Sequence, residues 1–306
     1  MNSGLFQRLR RIRQNGLMHL IFPSATHTRF EHSLGVVHVA DSILQSLIYN
    51  SMASRSKLSS ENSKGEYRCF DFSCVPIEQL KFIFRVTRLA ALVHDLGHGP
   101  LSHTFDSFAP KSDKIWELVC SEPYLQPLTK LETLIKDDKH KRIQHEIMSC
   151  IFLYKIWNNL GEREWTLPNA IAASILGENA YCLVEDATQK KWISLIHDII
   201  SSAPADADRM DYLERDSKSC GVTYGLFDRD RLLKTMLCYA APGNQYRLGL
   251  KLSGLRAAEN FVQARFELFV QVYYHKTNRA IELMLNKVSR LATAIDIQAV
   301  QTGNLS

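Results

Sequence analysis

Apolar residues in this chain recur mostly at helical spacing. Gly4 to Gln14 places Leu5, Leu9 and Ile12 on one face and arginines on the other, which predicts an amphipathic helix. Phe22-Pro23 breaks the pattern. A second helix follows THTRFE and runs to about Tyr49, with Val36, Val39, Ile43 and Leu47 as its buried stripe and His32 one turn earlier on that stripe. Pro76 opens a third helix, Ile77 to Leu96, whose polar strip from Leu80 onward is Lys81, Arg85 and Arg88. Asp106 to Lys141 is broken by Pro, Asp and Lys into short helices and loops. Helical periodicity resumes over Gln144 to Trp157, Pro168 to Leu176 and Lys191 to Ile200. After Pro204, the run DADRMDYLERD sets Asp206, Asp208, Asp211 and Asp216 on one helix. Gln245 to Leu252 alternates and is the one credible strand pair. Leu255 to about Ala292 is a long helical stretch, broken near His275, with Arg265, Leu268, Val272 and Lys276 on one face. Asn50 to Arg68 is rich in Ser, Asn and Lys and reads as a mobile surface loop. There is no internal repeat and no linker. The pattern therefore predicts a single all-α domain over residues 1–306, a helical bundle with a core of about 6–290 and a small β-hairpin.

Composition narrows the function classes. The chain has 306 residues, 45% of them hydrophobic, enough to bury a sizeable core. A net charge of +5 suits a phosphate-bearing ligand without demanding nucleic acid, and ordinary solubilising charge explains it equally well. The seven cysteines are scattered, odd in number and form no C-x-x-C pair, which fits reduced thiols of a cytoplasmic protein rather than a disulfide framework or zinc finger. The Arg-rich, then apolar start imitates a targeting peptide, but its apolar run is short and interrupted by His19. No later run approaches the roughly 20 apolar residues of a membrane helix.

The stretch Leu89 to Asp106, LAALVHDLGHGPLSHTFD, concentrates the candidate chemistry. Its apolar approach places His94-Asp95 at the end of a buried helix, which Gly97, Gly99 and Pro100 then stop. Neutral imidazole and carboxylate are both good ligands for a divalent cation. Adjacent residues on a helix point about 100° apart, so the pair can meet at one ion only near the helix end. One such pair alone reads as a cap. Five ionisable residues (His94, Asp95, His98, His103, Asp106), punctuated by two glycines, read as a site. His32 is either a satisfied core histidine or a further ligand.

The order His32, His94-Asp95, Asp208, drawn from three helices, resembles the HD superfamily of metal-dependent phosphohydrolases. FQRLRRIRQ, FPSATHTRFEHSLGV, LVHDLGHGPLSHTFD, QHE, DADRMDYLERD and YYHK are similar to its deoxynucleoside triphosphate triphosphohydrolase branch, nearest to vertebrate members that join a sterile-alpha motif to the HD domain. The likeness runs from about Phe6 to Lys276 and is weakest over about Asn50 to Ile77 and Ala109 to Ile143. It implies that His32, His94, Asp95 and Asp208 bind one divalent cation, for which Mg²⁺, Mn²⁺ or Fe²⁺ suits the donor set and zinc stays open. It implies hydrolysis at the α-phosphorus to deoxynucleoside and inorganic triphosphate. His103 would be the general acid, oriented by Asp106, and His98 and His145 would contact phosphate near the reacting centre. Arg29, Arg209, Arg265, Lys276 and Tyr212 would hold the triphosphate, with Arg209 standing where the family has Lys. Gln14 and Asp216 would hold the sugar 3′-hydroxyl. Tyr273 would pack where a 2′-hydroxyl would go, with Tyr274 near the base.

Departures accompany the likeness. Asn15 replaces a leucine under the sugar. Asn2 replaces an aspartate that reads a guanine effector, although Gln7 and Arg10 match that site, and the expectation is that the segment enclosing the effector and a C-terminal regulatory part are missing. Relatives are oligomeric, so a homo-oligomer is expected, with a nucleotide activator and nucleic acid as open partners and no membrane. Two other readings remain: an HD-type monophosphatase or phosphodiesterase, and a non-catalytic nucleotide or nucleic-acid sensor.

Overall fold

The long second helix is the axis of the structure, and the metal-type residues lie near its start. A computed structural model describes residues 2–55, 69–102, 105, 109–136, 142–162, 164–202 and 204–302. In chain order its elements are α1 (Gly4–Gln7), α2 (Arg29–Arg55), α3 (Ile77–Val93), α4 (Ser112–Ser121), α5 (Glu132–Lys136), α6 (His145–Asn159), α7 (Thr166–Leu176), α8 (Ala187–Ser201), α9 (Ala207–Cys220), α10 (Arg229–Thr235), β1 (Met236–Ala241), β2 (Gln245–Leu250), α11 (Leu255–Leu268) and α12 (Lys276–Thr302). The architecture is the expected all-α bundle with one small antiparallel hairpin.

α2 begins at a sequence-readable cap: Glu31 reaches back to the Thr28 amide and hydroxyl, satisfying donors that a helix start leaves open. Val36, Val39, Ile43 and Leu47 are buried as the periodicity requires. α2 packs on α3 and α9, α3 packs on α7 and α8, and β2 lies on α8. Trp192 of α8, fully buried, stacks on Tyr246 of β2 at 4.1 Å and meets Phe70 at 5.5 Å.

Several expectations change. The amphipathic N-terminus is not one helix: after α1 comes a 3₁₀ turn, Arg8–Arg11. Then Arg13 bridges Thr28, with Gln14 N–H donating to His27 O (3.0 Å) and Arg29 N–H to Ile12 O (2.8 Å). This tertiary pairing removes those amides from a helix. α2 continues to Arg55, because Asn50 is buried and donates to the carbonyls of Leu233 (3.0 Å) and Met236 (2.8 Å). The remainder of the predicted loop, 56–68, lies outside the described residues. The hairpin is larger than expected: Gln245–Leu250 pairs with Met236–Ala241, which lies outside the predicted strand pair. Gly243 and Asn244, both at positive φ, close it. Finally, a π-turn over Phe269–Tyr273 separates α11 from α12 where the break was expected. The expected shared face does not form: Arg265 and Lys276 are exposed while Leu268 and Val272 are buried.

α3 stops at Val93, three residues early. Ser149 of α6 donates to the His94 carbonyl (2.6 Å) and accepts from the Gly97 amide (2.7 Å), so another helix supplies the cap. A Cβ at Gly97 would overlap the His145 carbonyl and the α6 backbone. Gly97→Ala is therefore expected to destabilise the fold by about 1–3 kcal/mol, the usual range for overpacking, read as a lower midpoint in thermal unfolding. An unchanged midpoint would show that α6 is free to retreat.

Candidate metal centre and the cavity above it

Three helices bring four candidate ligands together. His32 lies in the first turns of α2, His94 and Asp95 follow the end of α3, and Asp208 lies in the first turn of α9. Asp206 caps α9, accepting from the Arg209 amide at 2.7 Å, which fixes the turn carrying Asp208. His32 Nε2 is 3.0 Å from Asp208 Oδ1 and 3.4 Å from Asp95 Oδ2. His94 Nε2 is 3.4 Å from Asp95 Oδ1 and 3.7 Å from Asp208 Oδ1. Ligand bonds of about 2.0–2.2 Å put neighbouring donors roughly 3.0–3.4 Å apart, so the set is of the right size for one ion.

The tautomers fit as well. His32 Nδ1 pairs with Asp211 Oδ2 at 2.8 Å, and His94 Nδ1 with the Ala91 carbonyl at 2.8 Å. Each ring thereby turns its Nε2 inward, and neither Nε2 has a hydrogen-bond partner although both are buried. The carboxylate contacts to His32 Nε2 are close but not aligned for hydrogen bonding. His32, His94 and Asp208 lie close enough together to hold a divalent metal, with Asp95 beside them.

Asp211 is held in turn by Arg215, at 2.8 and 2.7 Å. A Cβ at Gly35 would overlap both the Asp211 carboxylate and the Arg215 guanidinium, so α2 and α9 meet this closely only over a glycine. Sequence reading did not assign a role to Asp211 or Arg215. The signal was present: Asp211 follows Asp208 by three residues, on the same helical face.

Charge is compensated throughout. Burial opposes ionisation of Asp95, but the Arg29 guanidinium bound to it and the neighbouring histidines hold its carboxyl well below the usual range. Asp208 is likewise held low, against burial, by His32 and His94. Burial also disfavours the His32 imidazolium, yet Asp208, Asp211 and Asp95 push it up to about 10. His98 behaves oppositely: burial and Arg29 hold it well below its ordinary value, so it stays neutral. It lies 3.3 Å from Asp95 Oδ1 and stacks on His145 at 3.8 Å; Asp95, His98 and His145 form a second grouping of potential ligands.

Two cavities adjoin the centre. A smaller one of about 180 Å³ is lined by His94, Asp95, His98, His145 and Asp208. A larger one of about 510 Å³ is lined by Asn15, Arg209, Asp216, Arg265, Tyr273 and Tyr274, among others, and Gln14, Arg29, Asp208 and Tyr212 line both. Arg29 is buried, with donors committed to Asp95, to Ser102 Oγ (3.1 Å) and to Gln14 O (3.4 Å). Arg209 contacts Asp206, and Arg265 donates to the Tyr212 hydroxyl at 3.3 Å. Burial pushes that phenol up to about 12. Asp216 is bound at one oxygen by His27 (2.6 Å) and at the other by the Tyr273 hydroxyl. Sequence reading missed His27, which sits inside THTRFE. Lys276 is exposed and is not among the residues lining either cavity. His103 and Asp106, the expected acid and its partner, lie outside the described residues. The chain reaches them through Leu101 and Ser102, both at positive φ (69° and 53°), a strained path fixed by Ser102 Oγ donating to Arg13 O at 2.7 Å.

Two outcomes follow. Asp211→Asn removes the charge that raises the basicity of His32 and is expected to weaken divalent-metal binding about 10–100-fold, measured by competition with a chromophoric chelator; equal affinity would leave Asp211 a packing residue. Because the metal-free His32 carries a proton up to about pH 10, loading a cation must expel it. Apparent affinity should therefore rise with pH between 7 and 9, by about tenfold per unit for one proton. Calorimetry in buffers of different ionisation enthalpy counts that proton, and zero release would contradict a protonated His32 in the metal-free protein.

No family model matches the chain. It is 28% identical over 292 residues to L394, a protein of Acanthamoeba polyphaga mimivirus named for its HD domain, covering 95% of this chain and 53% of that one. It is 27% identical over 289 residues to the deoxynucleoside triphosphate triphosphohydrolase SAMHD1 homolog of Dictyostelium discoideum, covering 92% and 43%. The crystal structure of a phosphohydrolase from Bacteroides thetaiotaomicron superimposes with a TM-score of 0.60 at 26% identity, over 93% of this chain and 52% of that one. The chain spans about half the length of the curated relatives it matches. No described helix is long and apolar enough to cross a membrane. Helical architecture, a His-Asp centre drawn from three helices and these relatives agree, and the chain is similar to HD-domain phosphohydrolases related to SAMHD1.

Proposed function

We propose that this hydrolase cleaves deoxynucleoside triphosphates to deoxynucleoside and inorganic triphosphate. The observation that carries the reading is the junction of the two cavities: a four-donor centre on one side, and Arg209, Arg265 and Tyr212 beside Asp216 and Tyr273 on the other. His32, His94, Asp95 and Asp208 would hold a divalent ion, which would supply an acidified water and charge neutralisation at the phosphate. Arg209 and Arg265 neutralise the triphosphate, and the Tyr212 hydroxyl, kept protonated, donates to it. His98, held neutral beside Asp95, would contact the reacting phosphate, with His145 stacked on it. Gln14 accepts from a sugar hydroxyl, and Asp216, fixed between His27 and Tyr273, closes the outer end of the site. By resemblance, His103 protonates the leaving 5′-oxygen and Asp106 orients it.

A second reading, an HD-type monophosphatase or phosphodiesterase, gains from one observation. Arg29 is committed to Asp95 and Lys276 stands apart from the cavities, which leaves fewer cations for a triphosphate than the resemblance implied.

Incubating the protein with each deoxynucleoside triphosphate, singly and mixed, with Mn²⁺ or Mg²⁺, and separating products by anion exchange distinguishes the two. Triphosphate plus deoxynucleoside is the expected result; orthophosphate as the sole inorganic product selects the second reading. Asp208→Ala should lose the metal, whereas His103→Ala should abolish turnover and still bind substrate.

A further inference from the structure

The turn that follows Arg13 presents two consecutive carboxamides to the larger cavity, Gln14 and Asn15. The turn is held firmly. Its Gly16 has φ 52°, and the Leu101 carbonyl lies 2.9 Å from where a Cβ would stand, so no other residue fits without shifting the backbone. Gln14 is 6% exposed, and its Oε1 has no hydrogen-bond partner. The Nδ2 of Asn15 is also enclosed and unpartnered. One turn thus carries an unpaired acceptor and an unpaired donor side by side. Enclosed polar groups without partners are rare in folded chains and ask for a ligand that completes them. Terminal amide torsions are soft, so a small rotation brings either group to a hydroxyl seated against this wall.

We propose that Gln14 and Asn15 together read the vicinal 2′- and 3′-hydroxyls of a ribose, so that this site accepts ribonucleoside 5′-triphosphates as well as deoxynucleotides. This inference rests on the nucleotide reading of the cavity. One hydroxyl donates to Gln14 Oε1, and its neighbour accepts from Asn15 Nδ2. A 2′-deoxyribose satisfies only the first and leaves the Asn15 donor desolvated and unpaired. The Tyr273 hydroxyl proton is already donated to Asp216, so towards a sugar hydroxyl Tyr273 can act only as an acceptor. Asp216 in turn has both carboxylate oxygens engaged by protein donors, His27 at 2.6 Å and Tyr273. The two free polar groups on the Gln14–Asn15 turn are thus the ones that distinguish one sugar hydroxyl from two.

The test is equilibrium binding of matched ribo- and 2′-deoxyribonucleoside α,β-methylene triphosphates, measured by calorimetry at fixed Mn²⁺ for the wild type and for Asn15→Leu. The wild type should bind the ribonucleotide at least as tightly as the deoxynucleotide. Asn15→Leu should lower the ribo-to-deoxy affinity ratio by about tenfold, a factor equivalent to about 1.4 kcal/mol. Because the ratio is taken within one protein, a partial loss of folded material cancels; should Asn15→Leu fail to fold, Asn15→Ala gives the same comparison. A wild type that binds only the deoxynucleotide, or a ratio that the substitution leaves unmoved, overturns this inference and leaves the nucleotide reading standing. A wild type that binds neither nucleotide overturns both.

Discussion

Collecting three carboxylates and two imidazoles at a largely buried centre is the constraint on which the rest of the structure depends. Taking one ionised carboxylate out of water carries a penalty of several kcal/mol after relaxation. Asp95, Asp208 and Asp211 therefore need compensation at close range. Arg29 serves Asp95, Arg215 serves Asp211, and His32 joins Asp208 to Asp211. These pairings tie α2 and α9 together at Gly35 and anchor the end of α3 between them. A cation in the centre takes the place of the His32 proton in that compensation.

That same compensation shapes the cavities. Each cation bound to a carboxylate of the centre is one fewer for a ligand, which is why Arg29 acts as a clamp on Asp95. Two of the cations left facing the larger cavity, Arg209 and Arg265, reach it from α9 and α11 across Tyr212. His27, Asp216 and Tyr273 form a similar closed unit at the outer end, joining the N-terminal segment, α9 and the π-turn. Between the two units lies the Gln14–Asn15 turn, where polar groups remain unspent.

Much of this was legible before the fold was known, and for definite reasons. The stripe Val36, Val39, Ile43, Leu47 put His32 on a buried face. The apolar approach to His94 made a buried helix end, and Asp208 followed a readable cap at Asp206. Each is a local pattern with a period set by helix geometry. The failures have a common cause too. Ile12–Gln14 left the helix because residues fifteen or so positions later paired with it, Asn50 extended α2 because carbonyls near the hairpin received it, and α3 ended early because Ser149 capped it from another helix. Lys276, beyond the π-turn, lines neither cavity and so drops out of the expected cation set.

By itself, then, the sequence determined the helices, their buried faces, the four candidate ligands and the kinship of the chain, because these depend on residue type and spacing along one element. Which nitrogen of each histidine faces the centre, that Asp211 and Arg215 stand behind His32, that Arg29 is committed to Asp95, and that Gln14 and Asn15 keep unpaired groups at the cavity were decided only by the tertiary structure. The physical reason is that a hydrogen-bonding or charged group is defined by what remains for it once every closer partner has been met. Those partners arrive from segments separated by as many as 189 positions along the chain.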